Sequence, residues 1–451
     1  MADGNLQVEP SGSGFNTSHL TPLVPLAPTH HPPQITLSDL ALTFSLLGMT
    51  CFGGGAVMGL IQDKVVRVKQ WISNQEFIES VALGQSLPGP IGPNAIAHIG
   101  FRLQGIPGAL VSLVMFILPS FLLMVGFSIA YGYTKNIPAV GYLFFGLNPA
   151  VTGLVAGTAI RLGTSALQTR YQLAQALAVY GIAVAFPSLV FPIIFLSLAG
   201  GAIWGFTSLE TPTPEPTSII NPQPAPRFHK IVWVIGFTGV GLIFLAFVGF
   251  GGYALANNIS MADSFRRFST WVFHHRLVSL ALMALKLGAF TFGGGYVMVP
   301  LMEHEVVTNH QWLSHHEFMD GMALGQLTPG PVVITVTFIG YRVAGFPGAL
   351  LATIGVFVMP FFFTVWAGKS LEIFHQNRLV RGALAGVTPT AIALLAAAAT
   401  SLGLTALVGP PLSQLVVLSI IALSAAIFVR CKFNPLYILI AATGLGWFFA
   451  P

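Results

Sequence analysis

Two kinds of helix-breaking motif occur twice in this chain, and both offer backbone donors rather than reactive side chains. One is a glycine triplet, Gly53-Gly54-Gly55 and Gly293-Gly294-Gly295; the other is a Pro-Gly-Pro turn, Pro88-Gly89-Pro90 and Pro329-Gly330-Pro331. Glycine leaves its N–H uncovered and tolerates the dihedrals of a break, whereas proline removes helical donors and forces an interruption. A helix that starts after such a break points its partial positive end into the gap, which favours an anion. Close packing through small residues and simple kinks are the competing readings.

Side chains near the breaks extend this chemistry. Gln85 and Gln326 precede the two Pro-Gly-Pro turns and can donate hydrogen bonds without adding charge, and Asn94 follows the first turn. Arg102 and Arg342 hold equivalent places between glycines, where a permanent charge and a planar fork suit a tetrahedral oxyanion. Interfacial snorkelling is the alternative use of both arginines. Lys286 lies inside an apolar run, where lysine is costly and so a functional candidate. Glu76 and Glu317 recur, which suits proton coupling, and each follows Ser73 or Ser314 in a capping-box arrangement that explains it without transport chemistry. Glu303, His304, Glu305, His310, His315, His316, Glu317 and Asp320 cluster in sequence and suggest a metal-cation carrier as the alternative function. They contain no HExxH pattern, and no nucleophile–base pair supports an intramembrane hydrolase. No catalytic residue, metal site or cofactor is expected.

These residues must be positioned by membrane helices. Of 451 residues, 54% are hydrophobic and 7% charged, with a mean hydropathy of +0.78; a soluble domain carries roughly 25% charged residues. Stretches such as 108–130, 231–250 and 383–403 supply the about 20 apolar residues that a helical crossing needs. The fold class is therefore all-α, a polytopic integral membrane protein embedded in a lipid bilayer. The net charge of +5 is thinly spread, which argues against nucleic acid. Cys51 and Cys431 allow neither a disulfide framework nor a CxxC site.

The two motif sets belong to an internal duplication. Phe52 to Gly55 recurs at Phe292 to Gly295, an offset of 240. Trp71, Glu76-Phe77 and Leu83-Gly84-Gln85 recur at Trp312, Glu317-Phe318 and Leu324-Gly325-Gln326, and the run from Gly100 through Leu110 recurs at Gly340 through Leu350. The expected organisation is a disordered polar tail (1–36), a first repeat (37–207), a Pro-rich linker (208–230), an extra transmembrane helix (231–255), a polar connector (256–278) and a second repeat (279–451). Lys64, Arg67 and Lys69 follow the first glycine-triplet helix, whereas Arg266, Arg267 and Arg276 precede the second. That reversal predicts inverted-topology repeats of six crossings each, joined by the extra central helix. Segments 77–101 and 318–342 are alternatively re-entrant.

Taken together, the FGGG helices, LGQ followed by Pro-Gly-Pro, and the G-R-G-PGAL run resemble the chromate ion transporter family, over roughly 39–206 and 279–449. The resemblance implies a two-domain secondary carrier that exports chromate, with sulfate as a related oxyanion, from a plasma membrane or bacterial inner membrane. The second repeat departs from the first where PGPVVITV stands against PGPIGPNA, so unequal contributions to one site are expected. A homo-oligomer is compatible with the sequence, and the oligomeric state is not readable from it.

Overall fold

The computed structural model describes residues 35–52, 56–186, 189–208, 275–291, 295–368, 378–407, 410–431 and 434–449. The expected tail over 1–36, apart from its last two residues, lies outside the described residues. So do the linker, the extra helix and most of the connector.

The described residues form fourteen α-helices. In the first repeat these are α1 (Leu37–Thr50), α2 (Ala56–Gln62), α3 (Asn74–Ser86), α4 (Ile91–Thr134), α5 (Pro138–Ala166), α6 (Arg170–Ala185) and α7 (Val190–Ser208). The second has α8 (Arg276–Phe290), α9 (Met298–Glu303), α10 (His315–Leu327), α11 (Thr335–Ala367), α12 (Arg378–Ala406), α13 (Pro411–Arg430) and α14 (Pro435–Phe449). A π-helical turn continues α2 over Asp63–Val68, and its counterpart continues α9 over His304–Asn309. Five helical stretches are long and apolar enough to cross a membrane, within α4, α5, α11, α12 and α13.

Of the first two segments of each repeat, 37–61 and 279–302 are hairpins where single crossings were expected, and 77–101 and 318–342 take their re-entrant alternative. Helix α1 has 14 residues, roughly 21 Å at 1.5 Å per residue and too short for a bilayer core of about 30 Å. The chain then doubles back. The rings of Phe44 and Trp71 lie 6.5 Å apart, and Lys69 is close enough to act on Asp39, whose carboxyl the Thr36 hydroxyl and amide hold below the usual range. Helix α3 and the first arm of α4 make a second hairpin, because Arg102 at the end of that arm reaches Glu76 and Glu79 at the start of α3. The tips at Pro-Gly-Pro are buried, at Gly89 and Pro90 and at Pro329 and Gly330, where a crossing helix would have continued. The charge argument for inversion therefore fails in its premise, since Lys64, Arg67 and Lys69 return to the face from which α1 starts.

The inversion itself stands on other contacts. The arms of α4 meet at Gly105, where φ is +65°, and of α11 at Gly345, where φ is +63°; a β-carbon at either would be strained. Each reversal packs the two arms backbone to backbone, Gly100 on Gly108 and Gly340 on Gly348. From that turn the second arm of α4 runs to Thr134, a span of roughly 40 Å at 1.5 Å per residue. Arg102 marks one end. At the other end Lys135 bonds Glu317 (2.9 Å), Tyr131 donates to Asp320 (2.8 Å) and the Arg342 guanidinium lies 5.8 Å from the Tyr131 ring. Glu317 and Arg342 belong to the hairpins of the second repeat, so those enter from the opposite face. The repeats are also interlaced: α5 packs on α13 and α14, α12 packs on α6 and α7, and α4 meets α11 between them.

Candidate functional site

The local sequence explains why the tips are shaped alike. In the first repeat Pro90 occupies the N-cap of α4 with extended dihedrals, and Gly89 takes φ +105°. In the second repeat Pro331 precedes the 3-10 turn Val332–Ile334 that leads into α11, and Gly330 takes φ +112°. The tips then pair across the repeats. Gly89 N–H donates to the Thr291 carbonyl (2.6 Å), and Gly330 N–H donates to the Cys51 carbonyl (2.5 Å). Phe52 and Gly330 form a parallel bridge. Each Pro-Gly-Pro turn is thus bonded to the C-cap of the first helix of the other repeat, as a pseudo-two-fold axis requires. Space is tight: a β-carbon on Gly89 would meet the Pro360 ring, and one on Gly330 would meet the Ser120 side chain.

Four chain starts converge here, those of α2, α4, the 3-10 turn Gly295–Val297 before α9, and the 3-10 turn before α11. All follow a break, so their free N–H groups and partial positive ends lie at the tips. A cavity of ≈ 490 Å³ opens there, lined by Gln85, Pro90, Gly295, Gly330 and Pro331 together with Thr158, Arg161 and Ser165 of α5 and Tyr296. Phe428 of α13 lines it too, and the Arg161 guanidinium sits 5.0 Å from that ring. Among the described residues the arrangement offers one fixed cation, an amide, hydroxyls and helix N-termini around a space large enough for a small hydrated anion. It presents no nucleophile activated by a base, and it is chemistry for binding rather than bond breaking.

Sequence-predicted residues fall into three groups. Gln85, Pro90, Gly295, Gly330 and Pro331 line the cavity, and Gly89 and Gly330 join the repeats as above. Pro88 and Pro329 support the tips: the Pro88 carbonyl accepts from Asn94 Nδ2 (3.0 Å), and the Pro329 carbonyl accepts from Ser120 Oγ (2.6 Å). Gln326 is buried behind the wall, its Oε1 accepting from the Tyr296 hydroxyl (2.9 Å). Arg102, Arg342 and Lys286 are elsewhere. Arg102 is paired with Glu76 (3.2 Å) and Glu79 (2.7 Å), Arg342 with Glu317 (3.1 Å), and Lys286 with Glu305. The two arginines tie the open ends of the hairpins at opposite faces of the molecule. Gly53, Gly54, Gly55, Gly293 and Gly294 lie outside the described residues.

Glu76 and Glu317 do complete the expected capping boxes with Ser73 and Ser314, besides their ion pairs. The His/Glu cluster does not close into a metal-holding group of three among the described residues. It divides, Glu305 facing Lys286 and His310 while Glu303 faces His315.

Arg161 is the residue that motif reading missed. The repeats were aligned on what recurs, and the offset of 240 places Ser401 opposite Arg161. Tyr296 was missed for the same reason, since Ala56 is its counterpart. The available signal was an arginine immediately beyond the apolar stretch 139–160.

The family model for chromate transporters matches residues 38–206 and 278–447. An uncharacterized transporter of Methanocaldococcus jannaschii is 30% identical over 80% of this chain and 82% of its own length. The chromate transport protein of Cupriavidus metallidurans is 29% identical over 87% of this chain and 88% of its own. The uncharacterized transporter YwrA of Bacillus subtilis is 28% identical over 36% of this chain and 89% of its own. No solved structure matches.

Proposed function

Since the chain belongs to the chromate transporter family, we propose that it carries chromate across the membrane through the cavity at the hairpin tips. The carrying observation is that both Pro-Gly-Pro turns and Arg161 line one cavity. A doubly charged tetrahedral oxyanion loses hydration there and gains preorganised donors in its place. Arg161 supplies charge, Gln85, Thr158 and Ser165 supply hydrogen bonds, and the helix starts supply partial positive potential without an ammonium to desolvate. Substrate sites at broken helices near the repeat interface are a general solution for carriers built from inverted repeats.

Inverted repeats also suggest how the cavity changes sides. If the repeats exchange their slightly different conformations, access passes from one face to the other while the tips stay paired. This is secondary active transport with export from the cytoplasm as its direction, and sulfate, of the same charge and shape, competes. The glycine triplets complete the donor set, and Arg102 and Arg342, paired with carboxylates, hold the hairpins that present it. The test is chromate flux in proteoliposomes with an imposed potential. Saturable flux inhibited by sulfate supports the reading; flux no faster than in empty vesicles refutes it.

A further inference from the structure

The second repeat holds titratable side chains that the anion cavity leaves unused. Glu303 is only 6% exposed. Its Oε1 accepts a hydrogen bond from Ser401 Oγ (2.6 Å) and lies 3.2 Å from His315 Nδ1. A separate cavity of ≈ 260 Å³ adjoins it, whose polar lining is Glu303, His304, Thr308, His315, Thr400 and Ser401. Apolar side chains of α6, α7, α9 and α12 complete that wall, and among the described residues no lysine or arginine is part of it. The nearby Glu305 is engaged by Lys286 and His310, so the histidines are the titratable company of Glu303.

A buried carboxylate in a membrane-embedded chain is costly and marks an ion or proton pathway. The identity of its partner decides which. An arginine would hold it ionised, whereas a histidine changes charge near neutral pH and passes protons through its two nitrogens. Exposure falls along the pair as a relay requires: the side chain of His315 is 48% accessible and that of Glu303 is 8%. His315 opens α10 at the hairpin mouth, while Glu303 ends α9, between that mouth and the tip.

The first repeat differs at the same places. The paired π-turns, Asp63–Val68 and His304–Asn309, set Gln62 opposite Glu303, and the offset of 240 sets Arg161 opposite Ser401. Gln62 carries no charge and donates through Nε2 to Asn74 Oδ1 (2.6 Å). One repeat therefore offers a cation to its cavity where the other offers a hydroxyl to a buried acid.

We propose that Glu303, served by His315 and held by Ser401, is the proton-coupling site of this carrier. His315 takes a proton from water at Nε2 and releases one from Nδ1 to the Glu303 carboxylate. The carboxylic acid returns it to water when the second repeat opens toward the other face. One proton enters and one leaves, and no bond to the cargo changes. The site supplies the driving ion for the oxyanion carriage proposed above and rests on that reading.

The experiment uses the full chain in proteoliposomes at alkaline pH, where the cargo itself carries no proton, with a pH dye inside. Chromate exchange between the two sides is measured alongside proton movement driven by a chromate gradient. The wild type should show both. In Glu303→Gln exchange should persist while proton movement falls by about a hundredfold or more, the scale of a lost proton-transfer group. Wild-type exchange without proton movement overturns the coupling site and leaves the carriage reading intact; absence of wild-type exchange overturns the carriage reading first. Equal proton movement in Glu303→Gln also overturns the site. If that variant is poorly produced, Ser401→Ala replaces it, since it keeps the carboxylate and removes one donor. The pH of half-maximal proton movement then shifts, and an unshifted profile overturns the assignment.

Discussion

The two repeats share a backbone plan and differ in the charge they bring to it. Both fold into paired hairpins, both break at Pro-Gly-Pro with positive φ at the central glycine, and both reverse at a glycine before a long crossing arm. Yet the first places Arg161 and an accessible Gln85 on the tip cavity, while the second fills its side with Tyr296 and buries Gln326 behind it. The ion pairs differ as well. Arg102 is shared by two acids of its own repeat, whereas Glu317 is shared by Arg342 of its own repeat and Lys135 of the other. Duplication thus supplied geometry, and substitution divided the work between the copies.

The largest effect tests the inversion. Gln75 and His316 are equivalent, exposed and near the two hairpin mouths. In a background lacking Cys51 and Cys431, cysteine at 75 and cysteine at 316 should react with an impermeant thiol reagent from opposite faces. Labelling of both from one face would break the two-fold relation.

Next come the tip glycines. Gly89→Ala and Gly330→Ala each force a side chain into positive φ, a strain on the order of 1–3 kcal/mol before any clash. Thermal unfolding of the purified variants should fall, and the two should differ. Adding Ser120→Ala should partly restore Gly330→Ala, because the obstructing atom is the Ser120 hydroxyl, whereas Gly89→Ala meets the Pro360 ring. Equal behaviour of the doubly substituted chain and Gly330→Ala would remove that contrast.

Arg161→Gln should weaken chromate binding by about tenfold or more, the scale of a charge-assisted hydrogen bond. Arg161→Lys should fall between, since it keeps charge without the fork. Titration calorimetry in detergent decides it, and unchanged affinity would move the anion site away from the first repeat.

A smaller contrast separates the hairpin arginines. Arg102→Gln leaves Glu76 and Glu79 without their shared cation, while Arg342→Gln leaves Glu317 still bonded to Lys135. The first should lower thermal stability more than the second, and both should slow chromate flux at normal protein levels. The reverse order would mean that the link between repeats carries more than the link within one.

The smallest effect is on pH dependence. Burial raises the Glu317 pKa, but hydrogen bonds from Lys135 and the Ser314 amide, with the charges of Lys135 and Arg342, bring it below the usual range. A depressed folded-state value stabilises the protein above the unfolded carboxylate pKa, and that contribution is lost as pH falls through the folded value. Melting temperatures measured downward from pH 6 should therefore drop less steeply in Lys135→Gln than in the wild type. Parallel curves would show that the Lys135 pair has no such share.

Composition alone settled the solvent of this chain, because 7% charged residues cannot cover a water-facing surface. Recurrence at an offset of 240 determined the duplication, and proline and glycine chemistry determined where helices break, since these are local covalent constraints that neighbours do not override. The capping serines were legible for the same reason. Charge counting along the chain reached inversion through a wrong premise. It treated α1 and the segment after it as one span, and only the contacts of Trp71 with Phe44 and of Arg102 with Glu76 and Glu79 reveal hairpins. Which charges face the cargo was likewise decided by tertiary structure. An arginine in sequence has no direction. Arg102 and Arg342 find carboxylates at the mouths, and Arg161 reaches the tip cavity because α5 passes beside hairpin ends brought together from two halves of the chain.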